Sequence, residues 1–338
     1  MVQHRSDLQV RDKVVVITGA SSGIGQATAE LFARNGARLV LAARDEAALQ
    51  TVVEGCRQMG GQAVAVPVDV TDAERVERLA DAALAKHGQI DVWIANVGVG
   101  AVGLFHEVPL TAHAQVLRTN LLGRLNEAHA VLPVFLKQGR GIFINMISVG
   151  GFSAVPYATA YSASKFGLRG FSEALRGELM NHPHIHVCDV YPSFVDTPGI
   201  GHGANYTGRK LTVPPPILDA RRVAQAILRL TLRPRPTTML GVPTVALRLI
   251  HAISPQVTVK ATGRVLRRYF ARAQPIPRSN GNIFHPPAKP GGIDGGLRSP
   301  GPSVRVTAGV MMLSLGTLAL ILSARRDGGS RRDHRRSR

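Results

Sequence analysis

Continuous aliphatic and β-branched runs alternate along this chain with stretches of helical periodicity. Val14-Val-Val-Ile-Thr18 has no polar interruption before its final Thr, as expected of a strand buried on both faces of a parallel sheet. Arg38 to Ala42, Ala63 to Val68, Asp91 to Ala95, Gly141 to Ile147 and Ile185 to Val190 read as further strands, and Thr237 to Leu240 as a seventh. Between them lie helical patterns. One follows the turn Gly19 to Gly25 and runs to Asn35, with Gly36 as its stop. Others cover Glu46 to Gln58, Thr71 to His87 (with Thr71 and Asp72 as caps), Thr111 to Val134, Pro156 to Asn181 and Asp219 to Leu232. Strict strand–helix alternation predicts an α/β fold with a doubly wound parallel sheet. Ligands of such sheets sit beyond the carboxyl ends of the strands. That places attention on Gly19, Arg44, Asp69, Asn96, Ser148 and Pro192.

The pattern changes after Phe270. Pro275 to Pro302 is rich in Pro and Gly and has no periodicity, so it reads as a linker. Val306 to Ala324 then gives 19 residues without a charge, bounded by Arg305 and Arg325. As a helix it would extend roughly 28 Å, close to the hydrocarbon core of a bilayer at about 30 Å. The expected organisation is a single catalytic domain over 1–270, a linker over 271–305, a transmembrane or membrane-embedded helix over 306–324 and a basic tail over 325–338.

Charge supports that division. The 338 residues carry a formal net charge of +19. From Arg264 onward there are 15 Lys and Arg against three acids, so most of the excess lies in the C-terminal fifth. No nucleic-acid-binding signature accompanies it, so anionic membrane lipid, not nucleic acid, is the expected partner. Thr258 to Ala271 sets Lys260, Arg264, Arg267 and Arg268 beside Val259, Leu266 and Phe270. That mixture suits either a helix lying on an anionic membrane or ordinary packing with a solvated basic face. The segment before the first strand is charged and has no apolar run, so no signal peptide is expected there. Two cysteines, Cys56 and Cys188, imply no disulfide framework, and Cys188 falls inside a strand as core filler. His182, His184 and His186 alternate into a strand. Only the last two share a face and no third ligand is evident, so no metal site is assigned.

Two stretches carry chemistry. Thr18-Gly-Ala-Ser-Ser-Gly-Ile-Gly25 lies between the first strand and the first helix. Glycines there let the backbone approach a pyrophosphate, and the helix N-terminus offers free N–H groups. Tyr161-Ser-Ala-Ser-Lys165 places a phenol and an ammonium one helical turn apart on one face. A nearby cation favours phenolate and would lower the tyrosine pKa from about 10. Such a group can exchange a proton with an alcohol or carbonyl.

Taken in order, these motifs resemble the short-chain dehydrogenase/reductase family, over roughly residues 10 to 245. Gly19, Gly23 and Gly25 match its TGxxxGxG. Asp69-Val70 matches the acidic residue after strand three that contacts adenine, and Asn96 and Gly98 match two positions of its NNAG. Asn120 matches the helix asparagine, and Ser148 precedes Tyr161 by the family's usual 13 residues. Ala95, Val97 and Ser193 depart from the usual residues; they bear on cofactor geometry and not on the reacting side chains. The resemblance implies a Rossmann fold. It further implies catalytic roles for Asn120, Ser148, Tyr161 and Lys165: Tyr161 as general acid/base, Lys165 on the nicotinamide ribose, Ser148 on the substrate oxygen and Asn120 on a relay water. Cofactor contacts are expected from Gly19, Ser21, Ser22, Gly23, Ile24, Gly25, Arg44, Asp69, Val70, Asn96, Gly98, Tyr161, Lys165, Pro192 and Thr197. An acid at the end of strand two would bond the 2′-OH of NAD, whereas Arg44 suits a 2′-phosphate. NADP(H) is therefore expected over NAD, with Asp45 assigned to capping the next helix.

Phe194 to Pro216 is expected to form a mobile lid over a mostly apolar pocket. The expected substrate is a small lipophilic carbonyl or alcohol, met at a membrane by a cytoplasmic catalytic domain. Homo-oligomerisation is left open. The competing readings are a regulatory protein that keeps the fold and nucleotide without turnover, and a nucleic-acid binder using the basic tail. Asn120, Ser148, Tyr161 and Lys165 together argue for turnover.

Overall fold

A computed structural model describes residues 10–287 and 291–298. Its centre is a seven-stranded, wholly parallel sheet. The strands are β1 (Val14–Thr18), β2 (Arg38–Ala43), β3 (Gln62–Pro67), β4 (Val92–Ala95), β5 (Gly141–Met146), β6 (Ile185–Pro192) and β7 (Thr237–Leu240). Their spatial order is β7-β6-β5-β4-β1-β2-β3. The chain winds outward from β1 in one direction and from β4 in the other, so the topological switch point lies between β1 and β4.

Alternation within each strand feeds two cores. Val15 and Ile17 of β1 and Leu39 and Leu41 of β2 face one layer. That layer comprises α1 (Gly23–Arg34), α2 (Glu46–Gln58) and α7 (Ala220–Leu232). Val16, Val40 and Trp93 face the other, made by α3 (Ala73–His87), α5 (Gly123–Gln138) and α6 (Thr159–Glu178). Burial on both faces is why these strands read as continuous apolar runs. Asp45 caps α2 by accepting from Ala48 N–H at 3.0 Å, and Asp72 caps α3 by accepting from Arg75 N–H at 3.1 Å. Cys188 is buried in β6 and Cys56 in α2, both as free thiols.

Three expectations change. The stretch 111–134 is not one uniform helix: α4 (Leu110–Leu117) passes into a π-turn, Arg118–Leu122, before α5 begins. The Phe194–Pro216 segment is pinned as well as looped. Val195–Asp196 pairs with Leu218–Asp219, and Ala204–Asn205 with Ala101–Val102. The expected linker has no helix or strand among its described residues after Arg272, and those residues are packed against the domain. Ser279 and Asn205 exchange backbone hydrogen bonds at 2.9 Å, and Ile283 is fully buried. Gly281, Gly291 and Gly295 serve close backbone approach there.

After β7, α8 (Val242–Ile253) and α9 (Pro255–Arg272) close the described domain. The expected membrane helix, 306–324, and the basic tail lie outside the described residues. Among the described residues no helix is long and apolar enough to cross a membrane.

Candidate active site

The glycine turn follows β1 directly. Gly19 and Gly23 have φ of +63° and +56°, in the left-handed region that favours glycine. A Cβ on Gly25 would collide with the Gly19 carbonyl, so the turn closes only with glycine there. Ser22 stands at the N-cap of α1 without a side-chain cap bond; Ser21 and Ile24 are half-buried beside it. Thr197 packs against Gly23, its Cβ 3.2 Å from where a Cβ would stand. Asn96 donates its Nδ2 to the Gly19 carbonyl at 3.2 Å and its backbone N–H to Thr18 Oγ1 at 3.2 Å. The turn is thus tied to the end of β4.

Beneath it lies a network that the sequence reading missed. Arg124 and Glu127, one turn apart on α5, form an ion pair at 3.1 Å with both side chains almost wholly buried. Glu127 Oε2 accepts from Thr18 Oγ1 at 2.9 Å and from Trp93 Nε1 at 2.8 Å. Arg124 donates to the Val97 carbonyl at 2.9 Å. The signal available was two charges on the core-facing side of a helix.

Asn120 sits inside the π-turn and is fully buried. Its Oδ1 accepts from Val99 N–H at 2.8 Å, while its Nδ2 donates to the Val99 carbonyl at 2.9 Å and to Ser164 Oγ at 3.1 Å. Both amide hydrogens are committed, so the side chain positions the loop after β4.

Ser148, Tyr161 and Lys165 converge, as their spacing implies. Ser148 follows β5 with φ 139° and ψ 162°, a region essentially reserved for glycine. Its hydroxyl accepts from Gly150 N–H at 3.2 Å. It also faces the Tyr161 phenol and acts against the effect of burial on it. Lys165 Nζ donates to the Met146 carbonyl at 3.2 Å and lies 5.5 Å from the Tyr161 ring centroid. Gly98 faces it, with space for a Cβ 3.7 Å from Nζ.

The charge states differ from the expectation. Burial holds the Tyr161 phenol above its ordinary value, with the Ser148 hydrogen bond acting the other way. Burial, helped by the Arg124 charge, pushes Lys165 down to about 7. Desolvation therefore outweighs the expected lowering of Tyr161 by the lysine.

The remaining predicted residues divide. Asp69 turns back on its own chain, accepting from Thr71 N–H at 2.9 Å and Thr71 Oγ1 at 2.8 Å. Val70 is buried against Gly123 and packs the frame. Pro192 ends β6, in register with Leu240. Arg44 leaves β2 toward the cleft but is engaged: it donates to the carbonyls of Asn282 at 2.6 Å and Phe284 at 3.3 Å. Among the described residues no group of three His, Cys, Asp or Glu side chains could hold a metal ion.

Two stability predictions follow from Ser148 and Lys165. Ordinarily Ala is more stabilising than Gly at a fixed site. At position 148 the order reverses: Ser148→Gly is more stable than Ser148→Ala by about 1 kcal/mol in urea unfolding, because only Gly relieves the backbone strain. Lys165 has a folded-state pKa below its unfolded value, so the unfolded chain binds the extra proton between them. The stability of the wild type relative to Lys165→Met therefore rises from pH 7 to pH 10, above the folded-state value of about 7. Parallel stability–pH curves for the two proteins would contradict this.

Comparison with known proteins agrees with the geometry. Residues 13–202 match the family model described as short chain dehydrogenase. An uncharacterized oxidoreductase, YxnA, of Bacillus subtilis is 30% identical over 266 residues, covering 76% of this chain and 73% of that protein. A short-chain dehydrogenase from Streptomyces avermitilis superposes with a TM-score of 0.63 at 29% identity, over 76% of this chain and 98% of that one. An alcohol dehydrogenase from the archaeon Thermococcus sibiricus, complexed with 5-hydroxy-NADP, gives 0.59 at 28% identity, over 68% and 96%. With its nucleotide turn at the switch point and Ser148, Tyr161 and Lys165 gathered beyond β5, this chain belongs to the short-chain dehydrogenase/reductase family of oxidoreductases.

Proposed function

We propose that the protein is an NADP(H)-dependent oxidoreductase that interconverts an alcohol and a carbonyl on a lipophilic substrate. The observation that carries the reading is the convergence of Ser148, Tyr161 and Lys165 in one cluster, with Lys165 buried and the other two half-buried. The glycine turn fits a dinucleotide: a Cβ would fill the space at Gly19, Gly23 and Gly25. When bound, the nicotinamide supplies or accepts the hydride, which this chain's residues cannot do.

The residues' own part is positioning and proton transfer. Tyr161, held protonated by burial, donates its hydroxyl proton to the carbonyl oxygen in reduction and regains one in oxidation. Ser148 hydrogen-bonds the same oxygen and Tyr161 together, which fixes where the proton travels. Lys165, close to its titration point at neutral pH, gains positive charge when an anion approaches and then steadies developing phenolate. Asn120 keeps the Val99 backbone in place beside them.

Arg44 would hold a 2′-phosphate, and the Thermococcus enzyme's complex with 5-hydroxy-NADP supports that choice. A lipophilic substrate is supported by the apolar cluster around Tyr161, formed by Val99, Ala101, Val108, Ala112 and Val116. An anionic membrane partner is supported by α8 and α9. Val242, Val245, Leu249 and Ile253 form one exposed apolar stripe on α8, the last 68% exposed, beside the basic face of α9.

Tyr161→Phe lowers kcat/KM for carbonyl reduction by about 10²-fold or more while leaving NADPH affinity within about twofold. Full turnover in that variant would sink the proton-donor role. Arg44→Ala lowers the binding preference for NADPH over NADH by about tenfold, the loss of one charge-assisted phosphate contact. An equal effect on both nucleotides in titration would remove the 2′-phosphate assignment.

A further inference from the structure

We infer that the described residues Gly281–Phe284 and Gly291–Arg298 form an internal strap that occupies the cofactor and substrate cleft and competes with NADP(H) for it. This rests on the cofactor reading above. The strap takes the same donors that a dinucleotide would need. Arg44 gives its guanidinium to the carbonyls of Asn282 and Phe284. Gly23, in the phosphate-binding turn, donates its N–H to the Gly292 carbonyl at 3.0 Å. Ile283 is fully buried in the apolar cluster against which Tyr161 packs, and Phe284 packs against the same cluster. The two described segments together thus reach the 2′-phosphate residue, the pyrophosphate turn and the surroundings of the proton donor.

The fit is close. A Cβ on Gly281 would collide with the His202 carbonyl, and one on Gly295 with the Thr197 carbonyl. A Cβ on Gly291 would stand 2.8 Å from Pro198. The glycines therefore let the strap lie flush on the loop that borders the cleft. A strap draped over a bound nucleotide would sit a molecule's thickness from Gly23 and Arg44. This one bonds to both directly.

The far end is latched by charge. Arg298 reaches Asp196 at 3.0 Å and Asp219 and Asp294 at 2.6 Å each. Arg221 grips Asp294 through two contacts of 2.9 Å. Asp196 also accepts the backbone N–H groups of Gly295 at 3.0 Å and Leu297 at 2.8 Å. Most of these groups are half-exposed, so the latch is reversible, unlike a buried core. Apparent affinity for a ligand falls by the fraction of molecules with the cleft open, so loosening the strap tightens cofactor binding.

The test uses the full-length protein, with NADPH titrated into wild type, Ile283→Asp and Arg298→Glu, and amide hydrogen exchange recorded with and without NADPH. Ile283→Asp places a charge in the apolar cluster; Arg298→Glu turns the latch into a cluster of acids without touching the core, and remains informative if the first variant folds poorly. The expected result is NADPH binding about fivefold tighter or more in the variants, with saturating NADPH accelerating exchange at Gly295 and Leu297 in the wild type. NADPH binding that slows exchange there, or variants that bind it equally or more weakly, would overturn the competition. Absence of dinucleotide binding in all three proteins would instead overturn the cofactor reading, and the competition with it.

Discussion

The buried Arg124–Glu127 pair is the constraint on which the cleft depends. It costs several kcal/mol to take such charges out of water, a cost that further hydrogen bonds to the pair offset in part, since the Arg124 Nε finds no partner. Here the partners are Thr18 at the end of β1, Trp93 in β4 and the Val97 carbonyl beyond it. The pair therefore couples the two strands that flank the switch point to α5. The glycine turn, held by Asn96 and Thr18, and the Val97–Val99 loop, held by Arg124 and Asn120, inherit their positions from it. Arg124 also contributes to the lowered proton affinity of Lys165. One interaction thus shapes the crevice and helps set the charge within it.

Over that base, burial and backbone strain prepare the proposed chemistry. Tyr161 is kept neutral and Lys165 is kept near its titration point, both chiefly by desolvation. Ser148 is held in an unfavourable backbone conformation with its hydroxyl accepting from Gly150 N–H beside the Tyr161 phenol. Strained residues that persist in a well-packed frame concentrate at functional sites. The strap adds a second layer, because its carbonyls satisfy donors that would otherwise face a groove. The cleft can then remain folded without a bound nucleotide, and the open form exposes Arg44 and Gly23 to one.

Much of the frame was legible from residue pattern. Parallel strands buried on both faces announce themselves as apolar runs, which is why Val14–Thr18 and Thr237–Leu240 were readable to the residue. Asp45 and Asp72 were readable as caps because a carboxylate before a helical period has a specific use there. The Tyr161–Lys165 pairing followed from helical geometry. What could not be read depends on distant partners. The π-turn at Arg118–Leu122 leaves no mark in hydrophobic periodicity. The direction of the Tyr161 shift depended on burial that no single helix reveals. Arg44 engages main-chain carbonyls some 240 positions away, and a carbonyl carries no residue signature. Gly and Pro in 275–302 read as a linker, yet that composition serves a close-fitting strap as well as a free linker.

The central claim is that this cluster moves a hydride between a nicotinamide and a carbonyl carbon with Tyr161 as proton donor. The most direct measurement incubates the full-length protein with NADPH deuterated on the transferring carbon and a panel of hydrophobic ketones and aldehydes, then analyses the alcohols by mass spectrometry. The account predicts one deuterium on the carbinol carbon of at least one product, formed faster with NADPH than with NADH. Nucleotide binding without any labelled alcohol across the panel, or a label lost to solvent, would contradict it.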